Sequence, residues 1–208
     1  MFRTSTIALL LASSAVSLLA ACGDDGDDHG AHELEVITTV ILTFTPDGGG
    51  APIVAEFDDP DGDGGDPPVV DPIRLAADTT YAVTVGFENR LENPPEDIGA
   101  EVRDEGDEHQ VFFTGTAVDG PASDQPAAPL AHAYADVDAE GLPIGLASEV
   151  TTQAGTGQLT ITLRHLPPIN GAATKTAELA AQVRDGGFAA IGGETDAQVT
   201  FDVTVAAP

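Results

Sequence analysis

Four residues combine imidazole and carboxylate groups at a spacing that suits a transition-metal ion. Glu105, Glu108 and His109 lie close together in the chain, and His165 ends a later predicted strand. Imidazole nitrogens and carboxylate oxygens are ligands for Zn²⁺ and Cu²⁺. The sequence therefore predicts that His109, His165 and either Glu105 or Glu108 converge on one ion, and their approach to within about 4–5 Å is the observation that favours such a site.

The same segment has an alternative interpretation without an ion. Asp97, Glu101, Glu105 and His109 recur every four residues, which places them along one face of a predicted helix. Stacked carboxylates repel one another unless a cation neutralises them. A solvent-facing acidic helix carries the same pattern, however, with His109 contacting the carbonyl groups at its C-terminal end.

An acidic loop has the alternating carboxylates of oxygen-rich calcium sites. They lie on a glycine-rich turn at Asp59, Asp61, Asp63 and Asp66. An EF-hand is excluded, because its twelfth loop position requires Glu and is occupied here by Val70. The sequence predicts either a different kind of Ca²⁺ site or a solvated acidic turn.

The N-terminal residues predict an anchored envelope protein. Residues 1–21 carry an apolar run too short for a membrane span and end in Leu19-Ala20-Ala21, directly before Cys22. This resembles the lipobox of bacterial lipoproteins, in which Cys22 becomes the lipid attachment site after cleavage of the signal peptide. An ordinary secretory signal beside a cysteine is the alternative. The predicted location is the outer membrane, with the protein periplasmic or surface-exposed.

Residues 22–33 are predicted to form an acidic, disordered tether, because repeated Asp and Gly residues repel and loosen the chain. His29 and His32 lie in this tether and form a third candidate site, which would capture Zn²⁺ or Cu²⁺ weakly. The alternative is that they merely belong to the composition of the tether.

Composition excludes several classes of protein. Seven Lys and Arg residues against 35 Asp and Glu give a net charge of −28, which argues against binding nucleic acid. A single cysteine excludes a disulfide-based scaffold. The sequence contains no G-x-S-x-G, H-E-x-x-H or phosphate-loop motif, so we do not expect an enzyme.

Residues 34–208 are predicted to form one all-β domain. Apolar and polar residues alternate with a period of two in several segments, which is typical of half-buried antiparallel strands. These predicted strands are 34–45, 53–57, 80–87, 110–117, 131–137, 157–164 and 197–205. Helical patterns occur only near residues 93–108 and 175–185. The expected fold is an antiparallel, Ig-like β-sandwich with one or two short helical insertions.

Several motifs resemble those of small acidic surface lipoproteins of Bacteroidota, a family often labelled as having a type I periplasmic-binding fold. The motifs are Asp59-Pro60-Asp61-Gly62-Asp63-Gly64-Gly65, Glu108-His109-Gln110-Val111-Phe112-Phe113, Leu142-Pro143-Ile144-Gly145-Leu146, Thr162-Leu163-Arg164-His165 and Gly192-Gly193-Glu194-Thr195-Asp196. A type I periplasmic-binding fold has two doubly wound α/β lobes, whereas alternating strands favour antiparallel pairing. The sequence therefore argues against the fold in that label.

The expected function is that of a non-catalytic, lipid-anchored surface protein that binds metal cations beside an outer-membrane uptake receptor. The first alternative is a structural or adhesive Ig-like module without a bound ion, which would use exposed loops or an edge strand. The second is a small hydrolase whose site the sequence does not reveal. Convergence of the histidine and glutamate side chains favours the first expectation over both alternatives.

Overall fold

Alternating burial organises residues 35–207, the part of the chain that this computed structural model describes, into twelve strands and two helices. In the strand Thr80–Asn89, for example, Val83, Val85 and Phe87 are buried while Thr84 and Gly86 between them are more exposed. Such a period of two places one face of a strand in the core and leaves the other facing outward. The predicted strand pattern is therefore realised in the folded chain.

The first sheet has eight strands. They are β1 (Thr39–Pro46), β2 (Ile53–Asp58), β3 (Val69–Val70), β5 (Thr80–Asn89), β6 (Glu96–Asp97), β8 (Val118–Asp119), β9 (Leu130–Tyr134) and β10 (Ala147–Thr152). Their order is β3-β2-β1-β5-β10-β9-β8, and β6 pairs with the end of β5. Strand β10 is absent from the predicted set because polar Ser148 and Thr152 occupy two of its three buried positions.

The second sheet has four strands in the order β4-β12-β11-β7. They are β4 (Ile73–Ala76), β7 (His109–Thr114), β11 (Gly155–His165) and β12 (Glu194–Ala206). All pairings are antiparallel except β4 with β12 and β8 with β9. The architecture is thus an all-β sandwich of two packed sheets with short helical insertions, as predicted.

The core lies between the two sheets. Phe44 and Phe87 project into it from the first sheet, and Phe113 and Phe201 from the second. Each is at most 1% exposed, and burial of a side chain of this size stabilises a fold by about 1.5–3 kcal/mol. Because the two sheets share this packed core, they hold in place the residues at the ends of their strands.

The first helix is shorter than predicted. It spans Ile98–Asp104, whereas the sequence pattern indicated a helix over 93–108. Residues Glu96–Asp97 pair with β5 instead, and the Asp97 side chain caps the helix by accepting a hydrogen bond from the Ala100 N–H. We call this helix α1. His109 is therefore the first residue of β7 rather than the end of a helix.

The second helix, α2 (Leu179–Gly186), lies outside the sandwich and begins later than predicted. Leu179 and Val183 are buried one turn apart and pack with Phe112, which projects from the outer face of β7. Lys175, the predicted start of this helix, is instead buried in the preceding loop. Neither helix within residues 35–207 is long and apolar enough to cross a membrane.

Candidate metal centre

Pairing between β7 and β11 places His109 directly opposite His165 at one end of the second sheet. His109 is almost fully buried and His165 is partly buried. The two imidazole rings stack with their centroids 4.7 Å apart and their planes 7° apart. Strand register thus brings together two histidines that lie far apart in the sequence.

The His109 ring is oriented by the helix that precedes it. Its Nδ1 lies 3.1 Å from the backbone carbonyl oxygen of Glu105, just beyond the end of α1. A hydrogen on Nδ1 satisfies this bond and leaves the lone pair on Nε2. Burial lowers the pKa of His109, and the charge of neighbouring His165 lowers it further. His109 is therefore a neutral imidazole near pH 7, which is the form that ligates metals.

Glu108 completes the set of predicted residues at this end of the sheet. Its Oε2 lies 3.6 Å from Nε2 of His165. This distance and the 4.7 Å between the ring centroids of His109 and His165 fall within the predicted limit of about 4–5 Å. The structure therefore brings Glu108, His109 and His165 together, whereas Glu105 is exposed and contacts His109 through its backbone carbonyl.

Asp196 joins the same cluster through an irregularity in β12. The register shifts between Leu163 and Arg164, so that Leu163 pairs with Ala197 and Arg164 pairs with Thr195. Asp196 is the extra, unpaired residue of this β-bulge. A bulge re-aims a side chain that strict alternation would direct elsewhere, and here the carboxylate interacts electrostatically with His109 and His165.

Burial raises the pKa of the Asp196 carboxyl, while the positive charges available on His109, His165 and Arg164 act in the opposite direction. Both carboxylate oxygens are shielded from solvent and have no hydrogen-bond partner. Buried polar atoms are nearly always hydrogen-bonded, because an unpaired one costs free energy. Asp196 is therefore the group in this cluster that most needs a cation.

Glu35 adds a further carboxyl group from the segment before β1. Burial raises its pKa to about 7, and the charge and hydrogen bond of Glu101 reinforce this shift, followed by the charges of Asp196 and Glu105. Its Oε2 is also buried without a hydrogen-bond partner. The cluster therefore gathers several carboxyl groups around the two imidazoles.

Arg164 holds the loop that carries Asp196. Its guanidinium donates hydrogen bonds to the Thr195 hydroxyl and to the carbonyl oxygens of Gly192 and Gly193, and it lies over the Phe188 ring. These donors are directed at the loop, so the guanidinium makes no hydrogen bond to the Asp196 oxygens. Arg164 positions the carboxylate without neutralising it completely.

Glu35, Asp196 and Arg164 were not among the predicted site residues. The Gly192-Gly193-Glu194-Thr195-Asp196 motif was the available signal for Asp196, because paired glycines before a strand indicate an irregular entry into the sheet. Arg164 directly precedes His165 in a second quoted motif. No pattern in the sequence links Glu35 to residues so distant in the chain.

The cluster is not arranged around an ion as it stands. Among residues 35–207, no group of three or more His, Cys, Asp or Glu side chains has the geometry to hold a metal. The stacked rings explain part of this finding: their lone pairs lie in nearly parallel planes, so one ion cannot be in line with both. Shared ligation by His109 and His165 requires one ring to turn.

The acidic loop uses its best-placed carboxylate to form a turn. Oδ2 of Asp61 accepts a hydrogen bond from the Asp66 N–H, around a single 3-10 turn at Gly62–Gly64. Gly65 has φ of 105°, a value that favours glycine. Turn formation, which was the alternative to calcium binding, accounts for these contacts. Asp59 is partly buried nearby, and the Asp63 side chain lies outside the described part of the structure.

Two carboxylates next to this loop, those of Asp58 and Asp71, are engaged elsewhere. Asp58 accepts hydrogen bonds from the Thr39 hydroxyl and from Arg90. Asp71 accepts one from the backbone N–H of Glu56. Arg90 also pairs with the carboxylates of Glu56 and Glu88, so three carboxylates of this acidic surface share one arginine.

Three predicted site residues lie outside the described part of the chain. They are the lipid attachment site Cys22 and the tether histidines His29 and His32. Their roles stay predictions.

No family model, curated protein or solved structure matches this chain.

Proposed function

We propose that this protein is a non-catalytic, membrane-anchored surface lipoprotein that captures divalent transition-metal ions such as Zn²⁺ or Cu²⁺. The observation that carries the proposal is the convergence of His109 and His165, 4.7 Å apart, with the carboxylates of Glu108 and Asp196. Imidazole with carboxylate is a ligand combination that these ions accept.

Whole-molecule charge supports the same function. A net charge of −28 creates a negative potential that attracts cations and raises their concentration near the surface. Such a field is not selective, because it also attracts Ca²⁺ and Mg²⁺. Selectivity for a transition metal would come from the two imidazoles, since Ca²⁺ and Mg²⁺ prefer oxygen ligands.

The test is a Zn²⁺ titration against a chromophoric chelator. His29 and His32 are both replaced by Ala in every sample, so that tether imidazoles do not contribute to the signal. We expect one tight Zn²⁺ equivalent per chain, and a fall in affinity of at least tenfold in His109→Ala. A chain that binds no stoichiometric Zn²⁺ or Cu²⁺ would instead favour the structural or adhesive module.

Anchoring is the second part of the proposal. Acylation at Cys22 would hold the acidic domain at the outer membrane, beside an uptake receptor that receives the captured ion. We expect Cys22→Ala to leave the membrane fraction and to lose incorporation of radiolabelled palmitate. A Cys22→Ala protein that is still labelled and membrane-bound would contradict the lipid anchor.

A further inference from the structure

The position of the Asp196 carboxylate does not stabilise the fold through strand pairing or hydrogen bonds. A regular antiparallel pairing of β11 with β12 would place a residue opposite each partner, whereas the bulge leaves Asp196 unpaired. Its two oxygens are buried and make no hydrogen bond. An arrangement that costs free energy in this way needs a compensating interaction.

The groups around Asp196 limit what that interaction can be. Arg164 is a permanent cation that acts on this carboxylate, but its hydrogen bonds go to Thr195, Gly192 and Gly193. His109 and His165 both interact electrostatically with the carboxylate. His109 keeps its Nε2 lone pair available while Nδ1 bonds to the Glu105 carbonyl. A carboxylate beside an oriented imidazole is the arrangement of a transition-metal ligand pair.

Resting on the proposed function, we propose that Asp196 is the carboxylate ligand of the bound ion, together with His109 and His165, and that binding turns one imidazole out of the ring stack. The ion is of the Zn²⁺ or Cu²⁺ class. Ca²⁺ is not the preferred occupant, because it favours oxygen ligands and this site offers imidazole nitrogens. The cost of unstacking two rings is small beside the binding free energy of such a site.

The decisive variant is Asp196→Asn, which keeps the size of the side chain and removes its charge. Asp202→Asn is the matched control, because Asp202 lies on the same strand, is exposed and changes the net charge equally. Both are titrated with Zn²⁺ in the full chain with His29 and His32 replaced by Ala. We expect Asp196→Asn to lose at least tenfold in affinity and Asp202→Asn to bind as the parent does.

A second measurement does not depend on any variant at the bulge. Zn²⁺ is added to the parent chain and the ¹³C signal of the Asp196 carboxyl group and the ring signals of His109 and His165 are followed by NMR. Ligation shifts the carboxyl signal in step with Zn²⁺ occupancy. Unstacking changes the ring proton shifts, because each ring no longer lies over its neighbour.

The outcomes separate this inference from the proposed function. If the parent chain binds no Zn²⁺, the proposed function fails. If the parent binds Zn²⁺ and loses it in His109→Ala, while Asp196→Asn binds as tightly as Asp202→Asn and the Asp196 carboxyl signal does not move, the function stands and Asp196 is not a ligand. Loss of affinity in Asp196→Asn alone, with a Zn²⁺-dependent carboxyl shift in the parent, supports the inference.

Discussion

His132 illustrates how a titratable residue can serve the core rather than a binding site. Its ring stacks on Phe113 with centroids 4.1 Å apart, and its Nε2 lies 3.0 Å from the Ser148 hydroxyl. Both His132 and Ser148 are buried. Burial lowers the pKa of His132 to about 4, so the imidazole is neutral in the folded protein across the neutral range.

This lowered pKa predicts acid sensitivity. In the unfolded chain His132 titrates near its ordinary pKa of about 6.5, so between pH 6.5 and 4 the unfolded state binds a proton that the folded state does not. The free energy of unfolding therefore falls as the pH falls through this window. By pH 4 and below, the contribution from His132 has decreased by about 3 kcal/mol.

Comparison of the parent chain with His132→Gln isolates this effect, because all other titrating groups contribute equally to both proteins. Urea denaturation at pH 7 and at pH 4 gives the two free energies of unfolding. We expect the stability advantage of the parent to shrink by about 3 kcal/mol on acidification. An advantage that stays constant with pH would show that protonation of His132 does not destabilise the fold.

At the scale of residues, the sequence predicted one half of the candidate site and missed the other. His109, Glu108 and His165 stand in recognisable imidazole and carboxylate motifs. Asp196 and Glu35 do not, because an acidic chain with 35 Asp and Glu residues offers no way to tell a clustered carboxylate from a solvated one. Only strand pairing and the bulge select Asp196 from so many candidates.

At the scale of secondary-structure elements, the site residues lie where helices and strands begin and end. The predicted helix over 93–108 would have placed Glu105 and His109 one turn apart on a single face. The chain instead ends α1 at Asp104 and starts β7 at His109. The two residues remain in contact through the Glu105 backbone carbonyl, while Glu105 itself is exposed.

A buried ion pair ties the loops around this end of the sandwich together. Lys175 Nζ lies 2.7 Å from Asp138 Oδ2, and the two side chains are 1% and 2% exposed. The same ammonium group donates to the Gly106 carbonyl, just beyond α1. Asp138 in turn accepts hydrogen bonds from the backbone N–H groups of Glu140 and Leu142. Three separate loops therefore share one network.

We predict that Lys175→Met lowers the free energy of unfolding by about 3–5 kcal/mol, because it leaves the Asp138 carboxylate buried without its cation. Urea denaturation measures the loss. Arg184→Met is the control, because it removes an ion pair that is exposed, and we expect no measurable change there. Equal stabilities of Lys175→Met and the parent would mean that Asp138 finds other compensation.

At the scale of the whole molecule, the alternation of apolar residues was enough to predict a two-sheet sandwich. The prediction worked because most strands bury one face, as Thr80–Asn89 does. It failed for Ala147–Thr152, whose buried polar residues hide the alternation, and for strands that are too short to show a clear period, namely the four-residue Ile73–Ala76 and the two-residue strands.

The central claim is that an ion binds at the end of the sandwich where His109 and His165 meet, and anomalous X-ray scattering tests it most directly. Crystals of the full chain are soaked in Zn²⁺ and measured on both sides of the zinc absorption edge. The account predicts a zinc peak about 2.0–2.2 Å from His109 Nε2 and from an Asp196 carboxylate oxygen. Zinc peaks only at other sites, with His109 and His165 still stacked and no peak beside them, would contradict it.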